Sequence, residues 1–381
     1  MLFFLCFGSL TAQDYLNFFK PNLLSNHPLG IFTSRINHNF NYQPAKKGLS
    51  FTLSRGNVWL PKASSYLPND AEVRAQFENM AWHYRPAEFR YRNITDYKSR
   101  EIEVDGILST YFLSFNSPLN KKFDFYSNIR FSSLTEGNIP YSLLTSDELI
   151  EWFHSNIAGG DDAFGRKNQP FGNAFFYYKD VNNNEITINN KSFLMSEISN
   201  YINYYPRWFT KSFNVNISAL TGLSLTNKTW NFDVGASAAI IKCFQFEKNR
   251  LDWGVAAGMM FPSVFQDQSV IISNVNSLFS LESHWNYVVV RKSGEWLVGT
   301  NFHMQSSYHS MKEREYHTIM RRGITSHDHM GVSHLTRWLQ GWCLVFGRNW
   351  KSWSVNCFIR EDLWVDNAPD VQVGWGFHYK L

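Results

Sequence analysis

The chain has 381 residues, and 36 Lys and Arg against 32 Asp and Glu give it a formal net charge of +4. This near balance excludes a strongly basic nucleic-acid-binding protein and an acidic disordered chain. Only 18% of the residues are charged, whereas 17% are aromatic. No run beyond the N-terminus approaches the roughly 18 uncharged apolar residues of a membrane-spanning helix. Few charges and many aromatic residues favour a protein layer with one apolar face and one face in contact with water.

Residues 1–13 have the pattern of a secretory signal peptide, because a short apolar run, MLFFLCFGSLTA, ends in small residues. The alternative is a buried N-terminal strand. Cleavage would leave an odd number of widely spaced cysteines, Cys243, Cys343 and Cys357, which is neither a disulfide framework nor a zinc site. Residues 14–47 then form either a periplasmic arm or a plug inserted into the body of the protein.

From residue 48 to residue 381 the chain repeats a pattern with a period of two residues, which is typical of β-strands. In the last segment, for example, Trp375, Phe377 and Tyr379 alternate with Gly376 and His378. The pattern predicts about twelve strands. They lie near residues 48–60, 101–116, 122–133, 194–205, 211–224, 229–243, 250–262, 276–290, 295–309, 335–347, 352–365 and 370–381.

Two features favour a transmembrane barrel over a soluble sandwich, whose strands also alternate. The segments are roughly 10 to 15 residues long, as tilted membrane strands need, and their less apolar face carries charged and amide side chains together. An even strand number with a periplasmic C-terminus places the long connections 61–100, 134–193 and 310–334 on the outer side. We therefore predict an all-β fold, with one antiparallel transmembrane β-barrel over residues 48–381 and one short extracellular helix.

The predicted helix lies in the connection 134–193. Thr145 and Glu148 form a capping box, and apolar residues including Phe153 follow at helical spacing. A pair of glycines that begins at Gly159 should end the helix. Such a helix can fold into the barrel mouth and constrict it, or it can pack on the rim, and the sequence leaves both possibilities open.

The segment around this helix resembles part of a known family. Leu149 to His154 reads LIEWFH, and Gly159-Gly160, Gly165-Arg166 and Pro170 follow. This order is similar to the Phe-His, Gly, Gly-Arg, Pro segment of an uncharacterised outer-membrane family known only as a domain of unknown function (thirty-one eighty-seven). The stretch EVDG from Glu103 also resembles that family. The resemblance implies an outer-membrane β-barrel and no established reaction, and it singles out His154 and Arg166 without assigning a role.

Charged and polar side chains on the inner strand faces are candidates for a lumen. The predicted lumen residues are Glu103, Asp105, Asp124, Arg130, Glu282, His284 and Arg360, and the predicted constriction residues are Phe153, His154 and Arg166. Mixed charge across a pore could orient polar solutes. The alternative is a structural network that fills a narrow barrel, because charges in a lumen must pair or meet water. A barrel of about twelve strands lies between the filled small barrels and the open porins, so both interpretations remain.

Motifs for metal or cofactor binding are weak. His327, His329 and His334 could bind Zn²⁺ or Cu²⁺ in a loop, and the alternative is a polar extracellular loop without metal. The stretch from Asp180 to Glu185 begins like a calcium loop but lacks the glycine and the closing glutamate of that motif. Nucleophile-elbow, phosphate-loop and dinucleotide motifs are missing, so we expect no cofactor.

The sequence favours an outer-membrane porin-like channel that passes a small solute, with residues 134–193 constricting its mouth. One alternative is an outer-membrane hydrolase that acts on lipid with a rim histidine, such as His154 or His303, as its base. Another is a non-catalytic surface barrel that binds a partner or a metal through its loops. The expected partners are outer-membrane lipid, lipopolysaccharide and a small-molecule solute, without nucleic acid.

Overall fold

The computed structural model describes residues 20–22, 28–79, 97–136, 144–157, 170–189, 193–206, 208, 213–225, 229–247, 249–310, 318–319, 338–362 and 371–381. The strands in these ranges are β1 (Gly48–Pro68), β2 (Tyr97–Pro118), β3 (Phe123–Thr135), β4 (Phe175–Lys179), β5 (Glu185–Asn189), β6 (Phe193–Tyr204), β7 (Phe213–Leu225), β8 (Thr229–Gln245), β9 (Asn249–Gln268), β10 (Leu278–Arg291), β11 (Gly294–Gln305), β12 (Thr318–Ile319), β13 (Leu339–Asn349), β14 (Trp353–Glu361) and β15 (Val371–Lys380). The helices are a 3-10 helix (Pro28–Phe32), α1 (Ala71–Glu78) and α2 (Asp147–Asn156).

Twelve of these strands form a closed antiparallel barrel, in the order β1-β2-β3-β6-β7-β8-β9-β10-β11-β13-β14-β15. The ring closes because β1 pairs with both β2 and β15. The hairpin of β4 and β5 adds to β2 at Glu101–Asp105, and β12 pairs with the far end of β1. The all-β barrel and its strand number confirm the sequence prediction.

The two ends of the barrel differ in how the strands are joined. At one end, which we name the turn end, the connections between neighbouring strands are short, as at Lys292–Ser293 between β10 and β11. At the other end, which we name the loop end, the long connections leave the barrel. β1 begins at the turn end, where the Leu381 N–H donates to Lys47 O at 2.9 Å.

Side-chain exposure along the strands is the reverse of the pattern in a soluble sandwich. In β7, Asn214, Asn216 and Ser218 are buried, whereas Ile217 is exposed. In β15 the exposed side chains include Trp375. An apolar outer face and a polar inner face are what a barrel in lipid requires. Among the described residues, no helix is long and apolar enough to cross a membrane.

The connection 134–193 contains two features that differ from the sequence prediction. Helix α2 is capped by Ser146, whose Oγ accepts a hydrogen bond from the Leu149 N–H at 3.3 Å. The predicted cap at Thr145 is therefore wrong by one residue, because Ser146 has the extended backbone that an N-cap needs. The β4–β5 hairpin was not predicted. Its turn is stabilised by the Asp180 carboxylate, which accepts hydrogen bonds from the N–H groups of Asn182 and Asn184.

Candidate functional site: the occupied lumen

The barrel interior is occupied by residues 28–47, which we name the lumen segment. It runs from the loop end to the turn end and then continues into β1. Its described residues form one 3-10 helix and otherwise no regular structure, and they pair with no strand of the wall. Near the turn end, wall side chains bind its backbone: Asn214 Nδ2 donates to Tyr42 O at 2.7 Å, and Asp124 Oδ2 accepts from the Ala45 N–H at 2.7 Å.

About a third of the way along the lumen segment, Ser34 is held at an irregularity in the wall. The pairing of β8 with β9 shifts register next to Asp233. The buried Asp233 carboxylate accepts hydrogen bonds from the N–H groups of Ser34 and Ser263, both at 2.8 Å. On the neighbouring strand, a Cβ at Gly222 would lie only 2.6 Å from Ser34 Cβ. The wall therefore has both an acceptor and a space that match this part of the segment.

Arg130 in β3 binds the carbonyl groups near the start of the lumen segment. Its Nη2 donates to Gly30 O at 3.0 Å and to Thr33 O at 2.8 Å. The same nitrogen lies 3.2 Å from Glu197 Oε2, and both side chains are almost fully buried. The ion pair reduces the free-energy cost of burying the two charges. The guanidinium also orients the backbone of the lumen segment, because it donates hydrogen bonds to two of its carbonyl groups.

At the loop end the contacts of the lumen segment become apolar. Leu29, Ile31 and Phe32 belong to one buried cluster that also contains Phe176 and Tyr178 of β4. The ring centroids of Phe32 and Phe176 lie 5.4 Å apart. The same cluster includes wall residues from several strands. The β4–β5 hairpin and the 3-10 helix therefore fill the loop end of the lumen together.

A second stretch of the chain, around Lys20, lies beside the lumen segment. Lys20 Nζ lies 2.6 Å from Glu282 Oε2 and donates to His38 O at 3.3 Å. The Phe40 ring stacks on the ring of His284, with centroids 5.7 Å apart. Glu282 and His284 are both buried, so these two predicted lumen residues contact the protein's own N-terminal region.

A cavity of about 160 Å³ remains between the lumen segment and the wall near the turn end. We name it the turn-end cavity. Amide side chains line it from both sides: Asn37 and Asn39 belong to the segment, whereas Asn203 and Asn356 belong to the wall. Small and hydroxyl-bearing residues of β1, β14 and β15 also line it. The charged residues Lys20, Asp124 and Lys380 and several aromatic residues, among them Tyr126 and Tyr201, belong to the lining as well.

The structure brings four of the predicted lumen residues, Asp124, Arg130, Glu282 and His284, into contact with the N-terminal region of the chain. Arg360 is buried in β14, lies against Gly341, and donates to Gln372 Oε1 at 3.5 Å.

The predicted residues of β2 and α2 are not gathered at this site, whereas His303 of β11 stands opposite Glu282 in the wall. Asp105 accepts a hydrogen bond from Asn173 Nδ2 at 2.9 Å, and Glu103 is half-buried on β2. Phe153 is exposed on α2, and His303 is buried within β11. Five predicted residues lie outside the part that can be described: the side chain of His154, and Arg166, His327, His329 and His334. Among the described residues, no group of three or more His, Cys, Asp and Glu could hold a metal ion.

Several residues at the contact between the lumen segment and the wall were not predicted, above all Ser34 and His38 of the segment and Glu197 of the wall. A signal for them was present in the wall strands, where Gly222 and Gly258 stand on the polar face. A Cβ at Gly258 would lie 2.9 Å from the His38 ring. Glycine on an inward strand face often marks the close approach of another backbone, so such positions indicate a filled lumen.

No family model and no curated protein sequence matches the chain. Among solved structures, the chain is similar to the COG4313 outer membrane channel from Pseudomonas putida F1, at 9% identity and a TM-score of 0.41 over 90% of this chain and 99% of that one. LpxR from Salmonella typhimurium is similar at 6% identity and a TM-score of 0.41, over 88% and 100% of the two chains. A KdgM porin is similar at 8% identity and a TM-score of 0.33, over 74% and 96%. These likenesses concern the outer-membrane barrel fold alone.

Proposed function

We propose that the protein is an outer-membrane porin-like channel whose lumen is closed at rest by the lumen segment and the β4–β5 hairpin. The observation that carries the proposal is that the segment fills a barrel without being part of its sheet. The ring is complete through the pairings of β1 with β2 and β15, and the described residues of the segment pair with no strand. Such a segment can move and leave the wall intact.

The wall behind the segment is suited to a polar solute. Asp124, Arg130, Asp233 and Glu282 are all buried on the inner face and now bind the N-terminal region. When the segment moves, these groups meet water and form a mixed-charge lining, which can select polar solutes. Predicted selectivity therefore depends on the same residues that hold the segment.

The part of the segment that resists opening is its apolar start. Hydrogen bonds at the turn end can be exchanged for bonds to water at a small net cost. Moving Leu29, Ile31 and Phe32 out of their cluster exposes apolar surface, which costs considerably more. We infer that this cluster is the latch of the channel. The 134–193 connection then constricts the lumen through its β4–β5 hairpin, which contributes Phe176 and Tyr178 to the cluster.

The setting of this proposal is a bacterial outer membrane. The exposed apolar side chains of the strands fit the acyl chains of lipid, and the loop end faces lipopolysaccharide outside the cell. The turn end then faces the periplasm, where a signal peptide at residues 1–13 would deliver the chain.

The experiment that tests the proposal is single-channel conductance in planar bilayers with the refolded full chain. We expect wild-type protein to be closed most of the time. Phe32→Ala should weaken the latch by about 3 kcal/mol, because it removes a buried ring and leaves a cavity. Such a change corresponds to a roughly hundredfold higher ratio of open to closed channels.

Phe358→Ala is the matched control for this experiment. Phe358 is equally an inner-face phenylalanine, but it packs in a separate buried cluster with Val288 and Leu297 that contains no residue of the lumen segment. The control should lose stability without gaining openings. If Phe32→Ala never conducts in a folded barrel, the proposal fails.

A further inference from the structure

Arg348 is a charged residue on the outer, lipid-facing side of the barrel. Along β13, Cys343 and Asn349 are buried on the inner face, whereas Phe346 is exposed on the outer face. Arg348 stands two residues after Phe346, so its side chain leaves the same face, and it pairs across to the exposed Trp296 of β11. Because β13 ends at Asn349, the guanidinium lies at the turn end of that face.

Tryptophan rings hold this guanidinium in place. Arg348 Cζ lies 4.6 Å from the ring centroid of Trp296 and 4.6 Å from that of Trp350. The Trp350 ring in turn stacks on the ring of Trp353, with centroids 3.8 Å apart. Tryptophan is enriched where a membrane meets water, so these rings place Arg348 at the depth of the lipid headgroups. The contacts with the rings also orient the guanidinium plane and leave its charge intact.

Arg348 forms no ion pair with an acidic residue in the part of the chain that the structure describes. Its one side-chain hydrogen bond there runs from Nη2 to Ser293 Oγ, at 3.4 Å. The carboxylate of Glu295, on the neighbouring strand, is engaged instead by Arg250 Nη1 at 3.7 Å and by Asn349 Nδ2 at 3.3 Å. Nε of Arg348 is fully buried, whereas Nη1 remains accessible and has no described partner. The guanidinium therefore keeps donors for an anion from outside the protein.

Further cations lie in the two turns beside Arg348. Arg291 and Lys292 belong to the turn between β10 and β11, Lys351 belongs to the turn between β13 and β14, and all three are exposed. The turns are neighbours on the rim of the barrel because β11 pairs with β13. Four positive charges together attract a ligand with a net negative charge, and they repel the ammonium group of a zwitterionic one.

We propose that Arg348 and these two basic turns bind the headgroup of an anionic glycerophospholipid. The guanidinium donates charge-assisted hydrogen bonds to the phosphodiester, and the exposed rings of Trp296 and Trp353 lie against the glycerol and the upper acyl chains. A lipid in the leaflet at the turn end is a phospholipid, since lipopolysaccharide lies at the loop end in the orientation given above. The inference goes beyond the proposed channel, because it needs a barrel in a membrane and no movement of the lumen segment.

Native mass spectrometry of the refolded full chain, released from neutral detergent, tests this site. The probe is dioleoylphosphatidylglycerol, and dioleoylphosphatidylcholine is the zwitterionic lipid with the same acyl chains. We expect phosphatidylglycerol to bind about tenfold more tightly than phosphatidylcholine. Arg348→Gln should weaken phosphatidylglycerol binding about tenfold. Arg348→Lys keeps the charge but loses the planar fork of donors, so it should weaken binding by about threefold.

Lys122→Gln is the matched control for the loss of one positive charge. Lys122 is exposed at the same end of the barrel, between β2 and β3, which are far from β11 and β13 in the ring. This variant should bind phosphatidylglycerol like the wild type. Equal affinity of the wild type for the two lipids would overturn the lipid class. An equal loss of affinity in Lys122→Gln and Arg348→Gln would overturn the site.

Two additions keep the test decisive. If Arg348→Gln does not refold, judged by its heat-modifiable migration in gels, Lys292→Gln combined with Lys351→Gln replaces it. Both residues are exposed in turns, so this variant should fold and bind phosphatidylglycerol about tenfold more weakly; unchanged binding would overturn the site. Inorganic phosphate should not displace the lipid, because it lacks the glycerol and acyl chains that contact the rings. Full displacement by inorganic phosphate would show a site for a free anion and overturn the lipid assignment.

Discussion

At the loop end of the lumen, Leu29, Ile31 and Phe32 are packed among apolar side chains, whereas at the turn end Tyr42 and Ala45 are held by hydrogen bonds to the wall. The apolar half excludes water and holds the segment by buried area. The polar half holds it by groups that water can replace, and it keeps a cavity. The comparison indicates that one end of the segment is an anchor and the other is exchangeable.

The largest expected effect concerns Arg130, which binds backbone carbonyls of the apolar half near the start of the segment. Arg130→Met leaves Glu197 buried without its ion-pair partner and frees the carbonyls of Gly30 and Thr33. We expect a loss of about 3–5 kcal/mol in the free energy of unfolding. Urea unfolding of the refolded barrel, followed by tryptophan fluorescence, measures it.

The control for this prediction removes both charges. Arg130→Met combined with Glu197→Met replaces the ion pair by apolar side chains, so most of the lost free energy of unfolding should return. If the double variant is as unstable as the single one, Arg130 stabilises the fold through the segment carbonyls alone.

A smaller effect is expected at Gly222, where the wall makes room for the lumen segment. Gly222→Ala places a methyl group against Ser34, and overpacking of this kind costs about 1–3 kcal/mol. Adding Ser34→Gly removes the opposing atoms and should restore the free energy of unfolding. A double-mutant cycle without coupling between positions 34 and 222 would show that the segment is not seated there.

The wall of the barrel could be predicted from the sequence far better than its contents. Strand alternation is a local property, so the limits of β6 and β7 were predicted to within a few residues. The inner faces were also recognisable, because Asp124, Arg130 and Glu282 stand on the polar side of their strands.

Part of the lumen segment also alternates, since Ile36, His38 and Phe40 are buried and the residues between them are less so, but no strand of the wall pairs with it. Residues 28–47 take their path from contacts with many strands, for example Ser34 with Asp233 and His38 with Ser280, which lie about 200 residues or more away in the chain. A short alternation does not reveal whether the stretch lies inside the barrel or outside it, so the arm and the plug could not be distinguished there. The β4–β5 hairpin was missed too, although its turn residues from Asp180 were noted for their partial likeness to a calcium loop, which was rejected.

The central claim is that movement of the lumen segment opens the barrel, and a reversible tether tests it most directly. The tether is a disulfide between Ser34→Cys in the lumen segment and Gly222→Cys in the wall. The same chain carries Phe32→Ala, and its native cysteines, Cys6, Cys243, Cys343 and Cys357, are replaced by serine. A Cβ at position 222 would lie 2.6 Å from that of residue 34, so a displacement of about 1 Å reaches disulfide geometry. The account predicts openings when the disulfide is reduced and their loss when it is oxidised. Equal conductance in the two states would contradict it.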